Sequence, residues 1–88
     1  MFLEDILGSK TKIRIINVLI NSPERFFIEK EIATVSGASV SEVNRQINTL
    51  LDFGLVYLYR DKNKKLYKIN QNHFLHNALK ELFKKENA

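Results

Sequence analysis

The chain contains no cysteine and no tryptophan, and it has one proline and three glycines among its 88 residues. Without cysteine there is no disulfide framework, no thiolate nucleophile and no cysteine-ligated zinc site, which fits a cytoplasmic location. No apolar stretch approaches the roughly 18–20 residues that a membrane-spanning helix needs, so we expect no membrane contact. The acids Glu4 and Asp5 stand where an ordinary signal peptide would be basic.

Catalytic motifs are also missing from the sequence. It contains no G-x-x-x-x-G-K-[ST] or G-x-G-x-x-G phosphate loop, and no cluster of serine, histidine and acid with the spacing of a hydrolase family. Its acids are scattered, as on an ordinary charged surface. We therefore expect a protein that is not an enzyme and that uses no cofactor.

What the chain does have is positive charge concentrated in one segment. The net charge is +4 with a pI near 9.5, and residues 60–68 carry Arg60, Lys62, Lys64, Lys65 and Lys68 against the single acid Asp61. Alone, such a cluster fits an ordinary solvated surface hairpin as well as it fits a nucleic-acid contact. It indicates a nucleic-acid contact when it lies beside a helix that fits a groove.

Local signals predict the order of the secondary-structure elements in a single domain. A first helix runs from Lys10 to Ile20 after the N-cap Ser9, and the Asn-Ser-Pro that follows ends it. The apolar run 26–28 predicts a small strand that pairs with a later hairpin. A second helix covers 29–35 and is followed by Gly37. Glycine there permits the left-handed conformation that ends a helix, and it lets two helices approach.

The strongest local pattern is a third helix over 39–53. Ser39 and Glu42 form an S-x-x-E capping box, and Gly54 supplies the stop. The apolar residues fall on one face: Val40, Val43, Ile47, Leu50 and Leu51. The remaining positions are polar: Ser41, Glu42, Asn44, Arg45, Asn48 and Thr49.

A polar helix face of this kind has two interpretations. An ordinary solvated face is the default for an isolated helix, whereas short hydrogen-bonding side chains beside an arginine suit base edges and phosphates. In the second interpretation, which we favour in this context, Arg45 binds guanine and Asn44 or Asn48 pairs with adenine. Gln46 lies between the two faces and reaches a phosphate.

Two short strands, 55–60 and 65–69, are separated by a D-K-N-K turn and predict a hairpin. Its tyrosines are Tyr57, Tyr59 and Tyr67. They could stack on nucleotides, but we favour packing on the sheet with their hydroxyls in solvent.

The last predicted helix covers 72–86 and carries a wide apolar stripe: Phe74, Leu75, Ala78, Leu79, Leu82 and Phe83. The stripe could simply close the core of its own chain. We favour a dimer interface shared with Phe2, Leu3 and Ile6, because so small a domain offers little apolar surface to receive it.

From Leu7 to about Asn70 the sequence resembles a winged helix-turn-helix domain of the ArsR/MarR-like superfamily. The resemblance is carried by E-I-A-T-V-S-G-A-S, by S-E-V-N-R-Q-I-N-T-L-L-D-F-G-L-V and by the hairpin ending in L-Y-K-I-N. It implies a mainly α fold with a small antiparallel sheet (α+β), in the order helix, strand, helix, helix, strand, wing, strand, helix. One domain would span 1–88, with its core at 9–70.

The resemblance also implies a function, a homodimeric regulator of transcription that binds double-stranded DNA. The positions that would contact DNA are Ser39, Ser41, Glu42, Asn44, Arg45, Gln46 and Asn48 on the recognition helix, and Lys62, Asn63, Lys64 and Lys65 on the wing. Many ArsR-type proteins sense metals through cysteines or His/Asp/Glu clusters. This chain has no cysteine, but His73 and His76, with Glu81 further along, could hold one metal across a dimer. Because a zinc site needs three or four converging ligands, we favour a surface or interface pair of histidines and no metal site.

Two alternatives remain open at the level of the sequence. One is a winged helix that serves as a protein-interaction module, which the acidic Glu42 mildly favours because it repels phosphate. The other is non-specific binding of DNA or RNA.

Overall fold

The structure, a computed structural model, describes residues 9–86. Its elements are α1 (Lys10–Ile20), α2 (Glu29–Ser36), α3 (Val40–Phe53), β1 (Val56–Asp61), β2 (Lys64–Ile69) and α4 (His76–Glu86). The predicted mainly α fold with a small antiparallel sheet is confirmed. Within residues 9–86, no helix has the length and apolar character that crossing a membrane requires. The predicted contacts at Phe2, Leu3 and Ile6 lie outside the described residues.

The first three helices begin and end within a residue of the predicted bounds. The hydroxyl oxygens of Ser9 and Ser39 accept hydrogen bonds at 3.2 Å from the backbone N–H groups of Lys12 and Glu42. Gly37 ends α2 with φ 74°, and Gly54 ends α3 with φ 82°. A Cβ on Gly37 would meet nothing within 4 Å. The left-handed backbone therefore favours glycine here and lack of space does not, so the predicted close approach of two helices at Gly37 is wrong.

The core forms around α1, which packs against α2, α3 and α4. Ile15, Ile16 and Leu19 have no exposed surface, and neither have Val43 and Ile47 on the facing side of α3. This placement confirms most of the apolar face predicted for α3. Val40 departs from it, since it lies in the first turn and remains 47% exposed.

The sheet has two strands, β1 and β2, paired antiparallel from Val56↔Ile69 to Asp61↔Lys64. The run 26–28, predicted to be a strand, contributes a single bridge in which Phe27 and Tyr67 exchange backbone hydrogen bonds of 2.8 and 2.7 Å. The pairing stops there because the next residue, Ile28, is already the N-cap of α2. The bridge joins the start of α2 to β2.

The register sorts the hairpin side chains onto two faces, since alternate residues of a strand point to opposite sides. Val56, Tyr67 and Ile69 are buried on the inner face. The pair Arg60↔Lys65 lies further along the same face, beyond the core. The inner face therefore changes from apolar to cationic toward the tip of the hairpin.

The last helix starts at His76 and not, as predicted, at 72. The preceding backbone is held in turns, because the Asn70 side chain accepts from the Asn72 N–H at 3.0 Å and the His73 Nδ1 accepts from the Leu75 N–H at 3.1 Å. These local bonds compete with the helical ones. Phe74 consequently lies before the helix.

Candidate nucleic-acid interface

The outer side of α3 presents most of the predicted polar residues to solvent. Ser39, Ser41, Arg45 and Asn48 are exposed, Glu42 and Asn44 are half-buried, and Gln46 is buried with 9% exposure. The amide of Gln46 donates to Glu42 Oε1 at 3.1 Å. Gln46 therefore supports its own helix in this structure, and its predicted contact with a phosphate stays a prediction.

Glu42 and Arg45 form an ion pair one helical turn apart. Arg45 Nε donates to Glu42 Oε2 at 3.0 Å, and Nη2 lies 2.7 and 2.8 Å from the two carboxylate oxygens. The hydrogen bonds from Arg45, and next that from Gln46, lower the pKa of the Glu42 carboxyl below its ordinary value. The carboxylate stays ionised at neutral pH, so the negative charge on this face is balanced by its neighbour.

Asn44 is tied to two other elements through Glu29, the first residue of α2. Glu29 Oε1 accepts from Asn44 Nδ2 at 2.8 Å and from the Tyr67 hydroxyl at 2.8 Å. One carboxylate oxygen thus joins α2, α3 and β2. One of the two Asn44 amide N–H groups is thus used within the domain, and the pairing of Asn44 with adenine stays a prediction.

Tyr67 differs from the expectation that the hairpin hydroxyls lie in solvent. Its side chain is 1% exposed, and its hydroxyl donates to Glu29. Burial, followed by the hydrogen bond to Glu29, raises the pKa of Tyr67 well above its ordinary value. Tyr57 and Tyr59 do remain exposed, and Tyr59 packs edge-on against Phe26 with ring centroids 5.0 Å apart.

A groove separates the start of α3 from the hairpin tip. Its volume is about 440 Å³, and its walls are Ile28, Glu29, Asn44, Asn63, Lys64 and Lys65. The fold thus brings one predicted helix residue together with three predicted wing residues. The other predicted wing residue, Lys62, is exposed in the turn with φ 57°.

Lys68 belongs to the cationic cluster of the sequence but lies apart from the tip. Its Nζ is 3.7 Å from Glu24 Oε2 and 5.1 Å from the centre of the Phe26 ring. It supports the outer face of the sheet, so the cations available at the tip are fewer than the sequence alone indicates.

The apolar stripe near the C-terminus divides between the core and the surface. Leu79 and Phe83 are buried in the core, Leu75 and Leu82 are half-buried, and Phe74 and Ala78 are exposed. The core receives more of the stripe than predicted, because α4 packs on α1. A dimer contact here stays a prediction, and Phe74, at 80% exposure, is its most accessible residue.

The two histidines have separate surroundings. The His73 ring lies between Phe53 and Phe74, with centroid distances of 5.0 and 4.6 Å, and precedes the helix. His76 is buried at 5% exposure. Among residues 9–86, no group of three or more possible metal ligands comes together.

Several solved structures of known proteins are similar to this chain. No family model and no curated protein matches the chain, but solved structures do. A structure described as a predicted DNA-binding transcriptional regulator from E. coli is 24% identical with a TM-score of 0.73, over 94% of this chain and 83% of its own. MepR, a transcription regulator of a Staphylococcus aureus multidrug efflux pump, is 17% identical with a TM-score of 0.77, over 97% and 64%.

A third structure names the domain type directly. It is the homodimeric winged helix-turn-helix DNA-binding domain of a possible ArsR-family regulator from Mycobacterium bovis, 20% identical with a TM-score of 0.63, over 92% of this chain and 68% of its own. At these identities the likeness is one of fold. The chain has the winged helix-turn-helix fold, in which α3 occupies the position of the recognition helix and the β1–β2 hairpin occupies that of the wing.

Proposed function

We propose that the chain is a sequence-specific regulator of transcription that binds double-stranded DNA. The observation that carries the proposal is the groove in which Asn44 of the recognition helix faces Asn63, Lys64 and Lys65 of the wing. A polar helix face fits the major groove, and cations beside it can lie on the neighbouring backbone. The similar structures that are described as DNA-binding support the same proposal.

In this arrangement α3 enters the major groove, and the wing lies on the flanking backbone or minor groove. The M. bovis domain is homodimeric, and we propose the same state for this chain. A twofold dimer predicts a nearly palindromic site, with half-sites about 10 bp apart or a multiple of that spacing. The exposed Phe74 and Ala78 are available to such an interface.

Selection of bound sites from random duplex DNA, followed by a salt titration of the selected sequence, tests the proposal. We expect a palindromic sequence that competes strongly against unrelated duplex DNA and against RNA. Equal binding of all duplexes would contradict sequence specificity. No duplex binding at low salt would favour the alternative of a protein-interaction module.

That alternative loses part of its support in the structure. It was favoured by the negative charge of Glu42, but Arg45 pairs with this carboxylate at 2.7 Å. The pair carries no net charge, so it does not repel phosphate as a lone glutamate would.

The substitution Arg45→Ala should weaken binding of the selected site by about 1–3 kcal/mol, because a bidentate arginine–guanine contact discriminates by about that amount. Preference at one base position of each half-site should relax, while the other positions stay unchanged. Repeating the selection with the variant measures this. An unchanged preference at every position would remove Arg45 from the contacts with bases.

A further inference from the structure

The ion pair on the recognition helix has a geometry that bears on specificity. Glu42 occupies the Nε and Nη2 side of the Arg45 guanidinium, at 3.0 Å and 2.7–2.8 Å. A guanidinium has five N–H donors in a fixed plane. The contact with Glu42 therefore leaves one end of the guanidinium unoccupied, the end formed by Nη1 and the second Nη2 hydrogen. Arg45 remains 70% exposed at its side chain, and this end can therefore meet a ligand.

The free end has the donors that guanine requires. Bidentate recognition of guanine uses two parallel N–H groups directed at O6 and N7. We propose that Glu42 is a positioning residue, which fixes the Arg45 guanidinium so that its Nη1/Nη2 end faces guanine in the major groove. The inference rests on the proposed function, and it assigns Glu42 a part in specificity without any contact to a base.

Glu42 is itself held by Gln46 on the next turn of α3 and by Ser39, the N-cap. Gln46 donates to Glu42 Oε1 at 3.1 Å, and the Glu42 backbone N–H is bound by the Ser39 hydroxyl at 3.2 Å. Glu42 is the less exposed partner, with 31% side-chain exposure against 70% for Arg45. An arginine held in this way loses less rotamer freedom on binding than a free one.

The same pair also weakens binding to the wrong DNA. A free arginine attracts any phosphate, and each such contact adds about 0.9 to the salt slope of duplex binding. Paired with Glu42, Arg45 brings no net charge to the backbone. Specificity is a difference between right and wrong partners, so a lower affinity for unrelated duplexes raises it.

The test uses Glu42→Gln in the full chain, with Asp52→Asn as the matched control. Asp52 is exposed near the end of the same helix and makes no contact with Arg45, so the control removes the same charge without touching the pair. We expect Glu42→Gln to bind unrelated duplexes more tightly, with a salt slope steeper by about 0.9. Its preference for guanine at the Arg45 position should fall about tenfold.

Two further variants separate geometry from charge. Glu42→Asp keeps the charge but withdraws the carboxylate by one methylene, and it should lose guanine preference while the binding of unrelated duplexes stays unchanged. In an Arg45→Ala background, Glu42→Gln should change no base preference, because Glu42 acts through Arg45. Thermal unfolding of each variant checks that the fold is retained.

The outcomes distinguish the positioning role of Glu42 from the proposed function on which it rests. A wild-type chain that selects no sequence would overturn both. If Arg45→Ala relaxes the preference for guanine and neither Glu42 variant does, the positioning role is wrong and the proposed function stands. If Asp52→Asn has the same effect as Glu42→Gln, general charge explains the result and the positioning role is equally wrong.

Discussion

Replacing Lys62, Lys64 and Lys65 together by glutamine should weaken binding to every duplex, selected or unrelated, by a similar factor. The three side chains lie in the wing tip and the start of β2, all exposed. If each neutralises one phosphate, the slope of log affinity against log salt should become shallower by about 2.7. Because the electrostatic contribution to affinity becomes small near 1 M salt, this change in slope corresponds to an affinity about a hundredfold lower near 0.15 M salt.

The base preference of this wing variant should stay unchanged, because contacts with phosphates position a protein without reporting sequence. The matched control replaces Lys80, Lys84 and Lys85, which removes the same charge from exposed positions on α4. Affinity measured across a salt series distinguishes the two. Equal slopes for the wing variant and the wild type would mean that the wing does not contact phosphates.

The second large effect is expected at Glu29, where one carboxylate oxygen accepts from both Asn44 and Tyr67. Glu29→Ala leaves the buried Tyr67 hydroxyl without an acceptor. An unsatisfied buried polar group costs about 1–3 kcal/mol, and with the loss of the Asn44 bond we expect about 2–3 kcal/mol of unfolding free energy. DNA affinity should fall as well, since this carboxylate joins the recognition helix to the wing.

Glu29→Gln is the control for this prediction. The glutamine side-chain oxygen can accept the same two hydrogen bonds, so this variant should keep most of the wild-type stability. We expect its free energy of unfolding to be about 0.3–1 kcal/mol below wild type, because a negative charge is lost from the first turn of α2. The substitution also removes a negative charge from the groove wall, so duplex binding should be at least as tight as in the wild type. Chemical denaturation and duplex titration measure the two effects. Equal stability of the alanine and glutamine variants would contradict the hydrogen-bonding role.

The sequence could predict those features that depend on neighbours along the chain. Ser9, Ser39, Gly37 and Gly54 mark the ends of helices because capping and left-handed backbone are local properties. Helical spacing likewise predicts the buried face of α3, where Val43 and Ile47 are fully buried. The exceptions lie at the ends of elements, where hydrogen bonds such as those of Asn70 and His73 decide between helix and turn.

The role of Glu29 could not be predicted in this way. Its partners lie 15 and 38 residues away along the chain, and only the packing of α2 against α3 and β2 brings them together. In the sequence Glu29 is marked only as the first residue of the second helix. The Glu42–Arg45 pair is different, because a separation of three residues on one helix is itself a signal. The capping box predicted from Ser39 and Glu42 gives the Glu42 carboxylate a different partner from the Arg45 that it binds in the structure.

Lys62 lies at the tip of the wing with φ 57°, the one non-glycine residue in 9–86 whose backbone is left-handed. For a residue with a long side chain this conformation costs about 1–2 kcal/mol, which glycine would not incur. The substitution Lys62→Gly would therefore let the chain fold at least as readily, but the variant would hold DNA less firmly. If the wing contacts DNA as proposed, folding of the hairpin and DNA binding make opposite demands on this position. Selecting variants for thermostability alone would then favour proteins that bind DNA less tightly.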